Sequence, residues 1–329
     1  MIIDLLHDLR TRNGRTSIVL FDPAGGLLVA GASKAMTMWT VTGEGPPAPR
    51  GSARPGRGPR SVTTAGFHPL SPVLATNGGR DSVASFWSWE DGPGLTPVFV
   101  HPWSDKRAAM AAGQVGAAFG LAFRPGTATL ATGHIQGAVR LWDVREPGRP
   151  YRLGSLKVRA AYVDALTFSP GGSTLAVADH AGNVDLWDVS ARSASAPVPV
   201  MTLTGGRASY LSFSPDGGML AANTPFSVAL WDTGELSARP AANLARGPGV
   251  PTGLARAVAF HPRLPVLACG DAQGAVSLWE VSEVRRPRLV SVTPVHHRPI
   301  TTLSFHPSGT LLAVGARDGL TALWTFAES

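Results

Sequence analysis

The 329-residue chain carries 29 Lys and Arg against 22 Asp and Glu, a net charge of +7, and is 44% hydrophobic and 16% charged. This is a folding composition, not that of a disordered chain. One cysteine, Cys269, excludes an intrachain disulfide, and no run nears the roughly 20 apolar residues of a membrane helix. Met1 to Arg10 holds Asp4 and Asp8 and lacks the apolar stretch of a signal peptide, so the expected location is cytoplasmic. The basic side is almost all Arg, the pattern of a GC-rich, bacterial-type gene. Excess Arg would favour an acidic partner, but interspersed acids and the lack of an aromatic-basic platform speak against nucleic acid.

In chain order, the apolar segment Ile2 to Leu6 comes first, followed by a unit that recurs seven times. Each unit opens on a Phe with Pro two places on: Phe21-Pro23, Phe67-Pro69, Phe123-Pro125, Phe168-Pro170, Phe213-Pro215, Phe260-Pro262 and Phe305-Pro307. Each closes on a Trp: Trp39, Trp87, Trp142, Trp187, Trp231, Trp279 and Trp324. Seven paired landmarks in one order define repeats near 16–40, 61–89, 117–144, 161–189, 207–232, 254–281 and 299–325. The fourth repeat shows the local grammar. An alternating run ends at Phe168, a Pro-Gly-Gly turn follows, then the apolar run Leu175 to Ala178, a turn at Gly182, and a third run from Val184 to Val189. Period-two runs broken by Pro and Gly are short antiparallel strands, and a weaker stretch such as Val198 to Leu203 supplies a fourth. Large residues on one face of the first strand (Leu166, Phe168) and small ones on the other (Ala165, Thr167) suit sheets packed face to face about an axis.

The runs Leu141-Trp142-Asp143, Leu186-Trp187-Asp188 and Leu230-Trp231-Asp232, with Phe213 to Gly217, resemble the WD (Trp-Asp) repeat family. The resemblance spans nearly all of residues 16 to 325 and implies an all-β, seven-bladed β-propeller of four-stranded antiparallel blades, in one domain. Only Thr325 to Ser329 follow Trp324, so Ile2 to Leu6 is expected to supply the last blade's outer strand and close the ring. Family members often link a His before the first strand, a Ser or Thr on the second, an Asp in the next turn and the Trp. Here the Asp position is filled only by Asp81 and Asp318, and the His position best by His296. No blade carries an evident full set, so packing of Trp, Phe and aliphatic residues is expected to hold the blades.

Two segments break the repeat. Residues 43–60 hold five Pro and four Arg, and a frayed or missing outer strand is expected there. Ser104 to Gly116 forms a long connection, whose Trp103, Lys106, Arg107 and Met110 are candidate partner contacts. The resemblance also implies partner contact on the channel-mouth face. The candidates there are Arg80, His134, His180 and Arg317 in the turns after second strands, with Tyr162, Tyr210 and Arg256 near first-strand starts.

No phosphate loop, nucleophile elbow or paired cysteine is present. His68, His261 and His306 share one repeat slot, between Phe and Pro, which a structural role explains without a metal. His296 and His297 lack a further ligand at metal spacing. The expectation is a protein-interaction scaffold or sensor module that binds one or more proteins, with no cofactor or metal, no membrane contact, and a monomeric state on its own. The rival reading is an enzyme with its site in the channel, for which His134, His180 and Asp179 are the nominees. A nucleic-acid-binding propeller ranks third.

Overall fold

Seven four-stranded antiparallel sheets follow one another along the chain. The computed structural model describes residues 1–9, 14–32, 35–42, 45–53, 62–77, 82–90, 94–102, 118–134, 137–159, 162–190, 199–204, 206–225, 227–235, 237–244 and 257–327. Blades one to six occupy 16–53, 65–102, 118–157, 163–204, 211–244 and 257–294, each with its strands in sequence order. Blade seven takes three strands from 300–327 and its fourth from the amino terminus.

That fourth strand is Ile2–Asp8. It runs antiparallel to Thr321–Ala327, with Ile3 opposite Phe326 and Leu5 opposite Trp324. Ile3 is 2% exposed and joins the cluster of Leu312, Val314, Trp324 and Phe326. The amino-terminal strand therefore closes the ring and covers an edge that would otherwise present unpaired backbone groups.

The second strand of each blade is buried on both faces, which explains its continuous apolar sequence. In blade four, Leu175, Ala176, Val177 and Ala178 are all fully buried. Near the axis the blades approach so closely that a side chain is excluded. A Cβ on Gly133 would lie 2.4 Å from Val163 Cγ1 of the next blade, and one on Gly270 equally close to Ile300 Cγ2. Small residues at second-strand ends thus receive β-branched residues from the neighbouring inner strand.

Two expectations need correction. Blade one has an outer strand, Ala48–Ala53, paired with Met36–Thr40. Pro49 is tolerated because the strand is an edge and the register shifts beside it, between Met38 and Trp39. Nor does packing alone hold the tryptophans. Trp87 Nε1 donates to Thr76 Oγ1 at 3.0 Å, Trp142 Nε1 to Thr132 Oγ1 at 2.9 Å, and Trp279 Nε1 to Ser277 Oγ at 3.1 Å.

Register explains where these bonds occur. Trp87 and Trp142 stand opposite Leu74 and Leu130, and the hydroxyl comes from the residue two places on, on the same face. The same place holds Val177, Ala222 and Val314 in blades four, five and seven. There the Nε1 of Trp187, Trp231 and Trp324 is buried without a partner among the described residues.

Candidate functional site

The inner strands surround a central cavity of about 640 Å³, to which all seven blades contribute. Every blade sets a short residue in its wall: Ser17, Thr64, Gly120, Ala165, Ser212, Ala259 and Ser304. Among the described residues, the charged groups lining it are Arg15 and Asp164. Tyr210, just before the inner strand of blade five, reaches over this space. Its hydroxyl donates to the Thr301 carbonyl of blade seven at 2.7 Å and lies 3.4 Å from the Ser17 carbonyl of blade one. Burial pushes the phenol above its ordinary value, against the nearby Arg15 charge, so it remains a neutral donor.

At the same mouth the inner strand of blade four brings together residues distant in sequence. Asp164 Oδ2 accepts from Arg207 Nε at 2.7 Å, while Oδ1 lies 3.3 Å from His180 Nδ1. The hydrogen bond to Asp164 raises the Arg207 guanidinium above its ordinary value, outweighing slight burial. The His180 ring in turn leans on Tyr162, with centroids 5.5 Å apart. Tyr162, His180 and Arg207 are exposed and Asp164 is half-buried. The result is an aromatic and cationic patch pinned by one carboxylate.

Of the residues expected on this face, the fold brings Tyr162 and His180 together, places Tyr210 over the cavity, and leaves Arg317 exposed at its turn. His134 is different: it is 1% exposed, with Nε2 2.8 Å from Thr132 Oγ1, because it shares the inward face of its strand with Thr132. It therefore contributes to blade three's interior and not to a contact surface. Arg80 and Arg256 lie outside the described residues, as do Trp103, Lys106, Arg107 and Met110. Asp164 and Arg207 were not legible as a pair, since 43 residues separate them. The available signal was an acid sharing one face of the inner strand with Leu166 and Phe168.

The nominated catalytic trio does not form a working group. Asp179 is 1% exposed and accepts from the amides of Ala181 and Asn183, His134 is bound to Thr132, and His180 faces Asp164. Burial also pushes the Cys269 thiol upward, away from thiolate chemistry. One further grouping adds His297 to the His and Asp positions of the last repeat. His296 Nε2 lies 2.7 Å from Asp318 Oδ2, 22 residues away, and His297 completes a set whose ligand atoms all fall within 4.8 Å. These three residues could hold a cation, although His296 and Asp318 already form the His–Asp link that the WD repeat uses structurally.

Residues 288–325, which include that link, match the family model "WD domain, G-beta repeat". The chain is a seven-bladed propeller carrying a WD40 repeat. Its fold is similar to that of a chain in the "Crystal Structure of Mitotic Checkpoint Complex", with a TM-score of 0.79 over 99% of this chain and 95% of that one. The two are 14% identical, so the likeness shows the fold alone. No curated protein matches the sequence. The WD40 propeller fold is typically a protein-interaction scaffold. Among the described residues, no helix is long and apolar enough to cross a membrane.

Proposed function

We propose that this propeller is a non-catalytic module of the cytoplasm, monomeric by itself, that holds one or more protein partners across the channel mouth. The carrying observation is the exposed Tyr162–His180 pair, fixed by Asp164 and Arg207 beside a cavity closed over by Tyr210. A prearranged aromatic and cationic surface loses little side-chain entropy when a partner docks, and such residues often dominate interface energy. Arg15, Arg207 and Arg317 are all exposed, and with the net charge of +7 they favour an acidic partner. The connection bearing Trp103, Lys106, Arg107 and Met110 is assigned to the same contact surface.

Affinity capture from the source cell tests this reading, using the wild type beside a variant in which Arg80, His180 and Arg317 are all changed to Ala. Partners held by the channel mouth should be lost from the variant. Equal recovery of every partner would remove the channel-mouth face from consideration. The cavity's charged lining of Arg15 and Asp164 gives no specific support to the channel-enzyme alternative.

A further inference from the structure

The repeat slot between Phe and Pro acts as a wedge between blades. His261 of blade six meets Phe305 of blade seven edge-on and lies tilted against Phe326, and its Nε2 is 3.0 Å from the Gly309 carbonyl in that blade's first turn. His306 of blade seven does the same to blade one, with Nε2 2.9 Å from the Gly25 carbonyl and its ring edge-on to Phe21. His68 packs on Phe123 of blade three, and the Arg124 stem lies over Gly172 of blade four. Between blades four and five the slot holds Ser169, whose hydroxyl accepts from the Thr174 amide of its own turn. That joint holds a groove of about 530 Å³ lined by residues of both blades.

Leu186, Met201 and Phe213 are half-buried in this groove, and Val200 at its side is 64% exposed. Around this apolar floor stand Asp188, Asp216, Asp232 and Glu235. Glu235 is paired with Arg285, whereas the three aspartates accept only hydroxyl and amide hydrogen bonds among the described residues. Bonds from the Ser190 hydroxyl and amide hold Asp188 below the ordinary carboxylate range, and the Ser214 hydroxyl does so for Asp216. They are therefore charged at neutral pH. These residues lie at the ends of first and third strands, on the face opposite Tyr162 and His180. Among the described residues, three acids without a cationic partner are a local reversal of sign in a chain of net charge +7.

We propose that the joint between blades four and five is a second docking site, which takes a short peptide segment of a protein partner presenting an apolar side chain flanked by Arg or Lys. The apolar side chain fills the volume that a histidine fills at the wedged joints, and the flanking cations meet Asp188, Asp216 and Asp232. This site goes beyond the channel-mouth reading and stands or falls independently of it.

The test uses the full chain and an array of fluorescent hexapeptides in which Leu, Ile, Met, Val and Phe are permuted with Arg, Lys, Glu and Ser. Fluorescence anisotropy compares the wild type, Ser169→His, and the double variant Asp188→Asn/Asp232→Asn. Ser169→His installs the wedge; histidine Nδ1 already accepts a turn amide at His68, His261 and His306, so the fold should keep its melting temperature. Expected is binding of basic-apolar peptides at least ten-fold tighter than of their Glu counterparts. Each variant should weaken that binding at least ten-fold, with partner capture at the channel mouth unchanged. The proposal is overturned if no peptide binds, if Ser169→His binds the array as the wild type does, or if basic peptides without an apolar residue bind equally well. Binding that emerges only when residues 191–198 are replaced by a Gly-Ser linker would assign the groove to the chain itself, and also overturns it.

Discussion

The Tyr210 hydroxyl in blade five donates a 2.7 Å hydrogen bond to the Thr301 carbonyl in blade seven. The two blades are not neighbours in the ring, so this side chain ties the propeller across its axis. Tyr210→Phe keeps the ring's packing and removes the tie. The expected loss is about 1 kcal/mol, a fall in melting temperature of roughly 2 °C. Calorimetry that shows no change would mean the bond is replaced by solvent in the cavity.

Closure by the amino terminus rests on Ile3, 2% exposed among the side chains of the last blade. Ile3→Ala should cost about 2–4 kcal/mol, far more than truncation of a surface aliphatic. Deleting residues 1–9 should lower the denaturation midpoint at least as much, because it also strips the Thr321–Ala327 edge of its partner. An unchanged unfolding curve would refute the clasp.

The tryptophan hydrogen bonds give a reciprocal pair of expectations. Thr132→Val deprives Trp142 Nε1 of its acceptor and should destabilise by about 1–3 kcal/mol. Val177→Thr offers Trp187 Nε1 an acceptor it lacks. Burying a hydroxyl ordinarily costs stability; here the new bond should offset that cost and leave the variant neutral or up to about 1 kcal/mol more stable. Urea unfolding of both variants checks the sign of each.

Two carboxylates should give opposite pH signatures. Burial raises the Asp185 carboxyl above its ordinary value, against the Thr202 hydroxyl's 2.6 Å hydrogen bond, and Asp179's charge adds to the rise. Its stability contribution is fully present below the unfolded pKa and is lost as pH rises through the folded one. Asp185→Asn retains an acceptor for Thr202, so it should be near neutral in acid and stabilising at neutral pH. For Asp318, burial pushes upward, but the hydrogen bonds from His296 and the Leu320 amide outweigh it and leave the carboxyl below its ordinary value. That contribution is present above the unfolded pKa and lost as pH falls through the folded one. Asp318→Asn should therefore destabilise at neutral pH, with the deficit closing in acid. Melting temperatures from pH 3 to 8 read both trends.

The sequence revealed whatever recurs. Phe168 with Pro170 and Trp187, repeated seven times, marks strands and turns through local chemistry alone, and the short tail after Trp324 pointed to an amino-terminal strand. What stayed hidden depends on register or on ring stacking. Thr132 is recognisable as the Trp142 partner only once Leu130 is known to face Trp142. Pro49 suggested a missing strand because sequence does not show that its unpaired side faces outward. His134 read as a turn residue, although period-two alternation with Thr132 turns it inward. The meaning of Ser169 emerges only after His261 and His306 are seen reaching into the next blade.

The central claim is that a partner sits on the channel mouth. Hydrogen–deuterium exchange of the propeller, free and bound to a captured partner, tests it most directly. Exchange should slow at 162–164, 179–183, 206–210 and 316–320, the strand starts and turns around Tyr162, His180, Arg207 and Arg317. Protection confined to the outer strands, with those four segments exchanging as in the free chain, would contradict it.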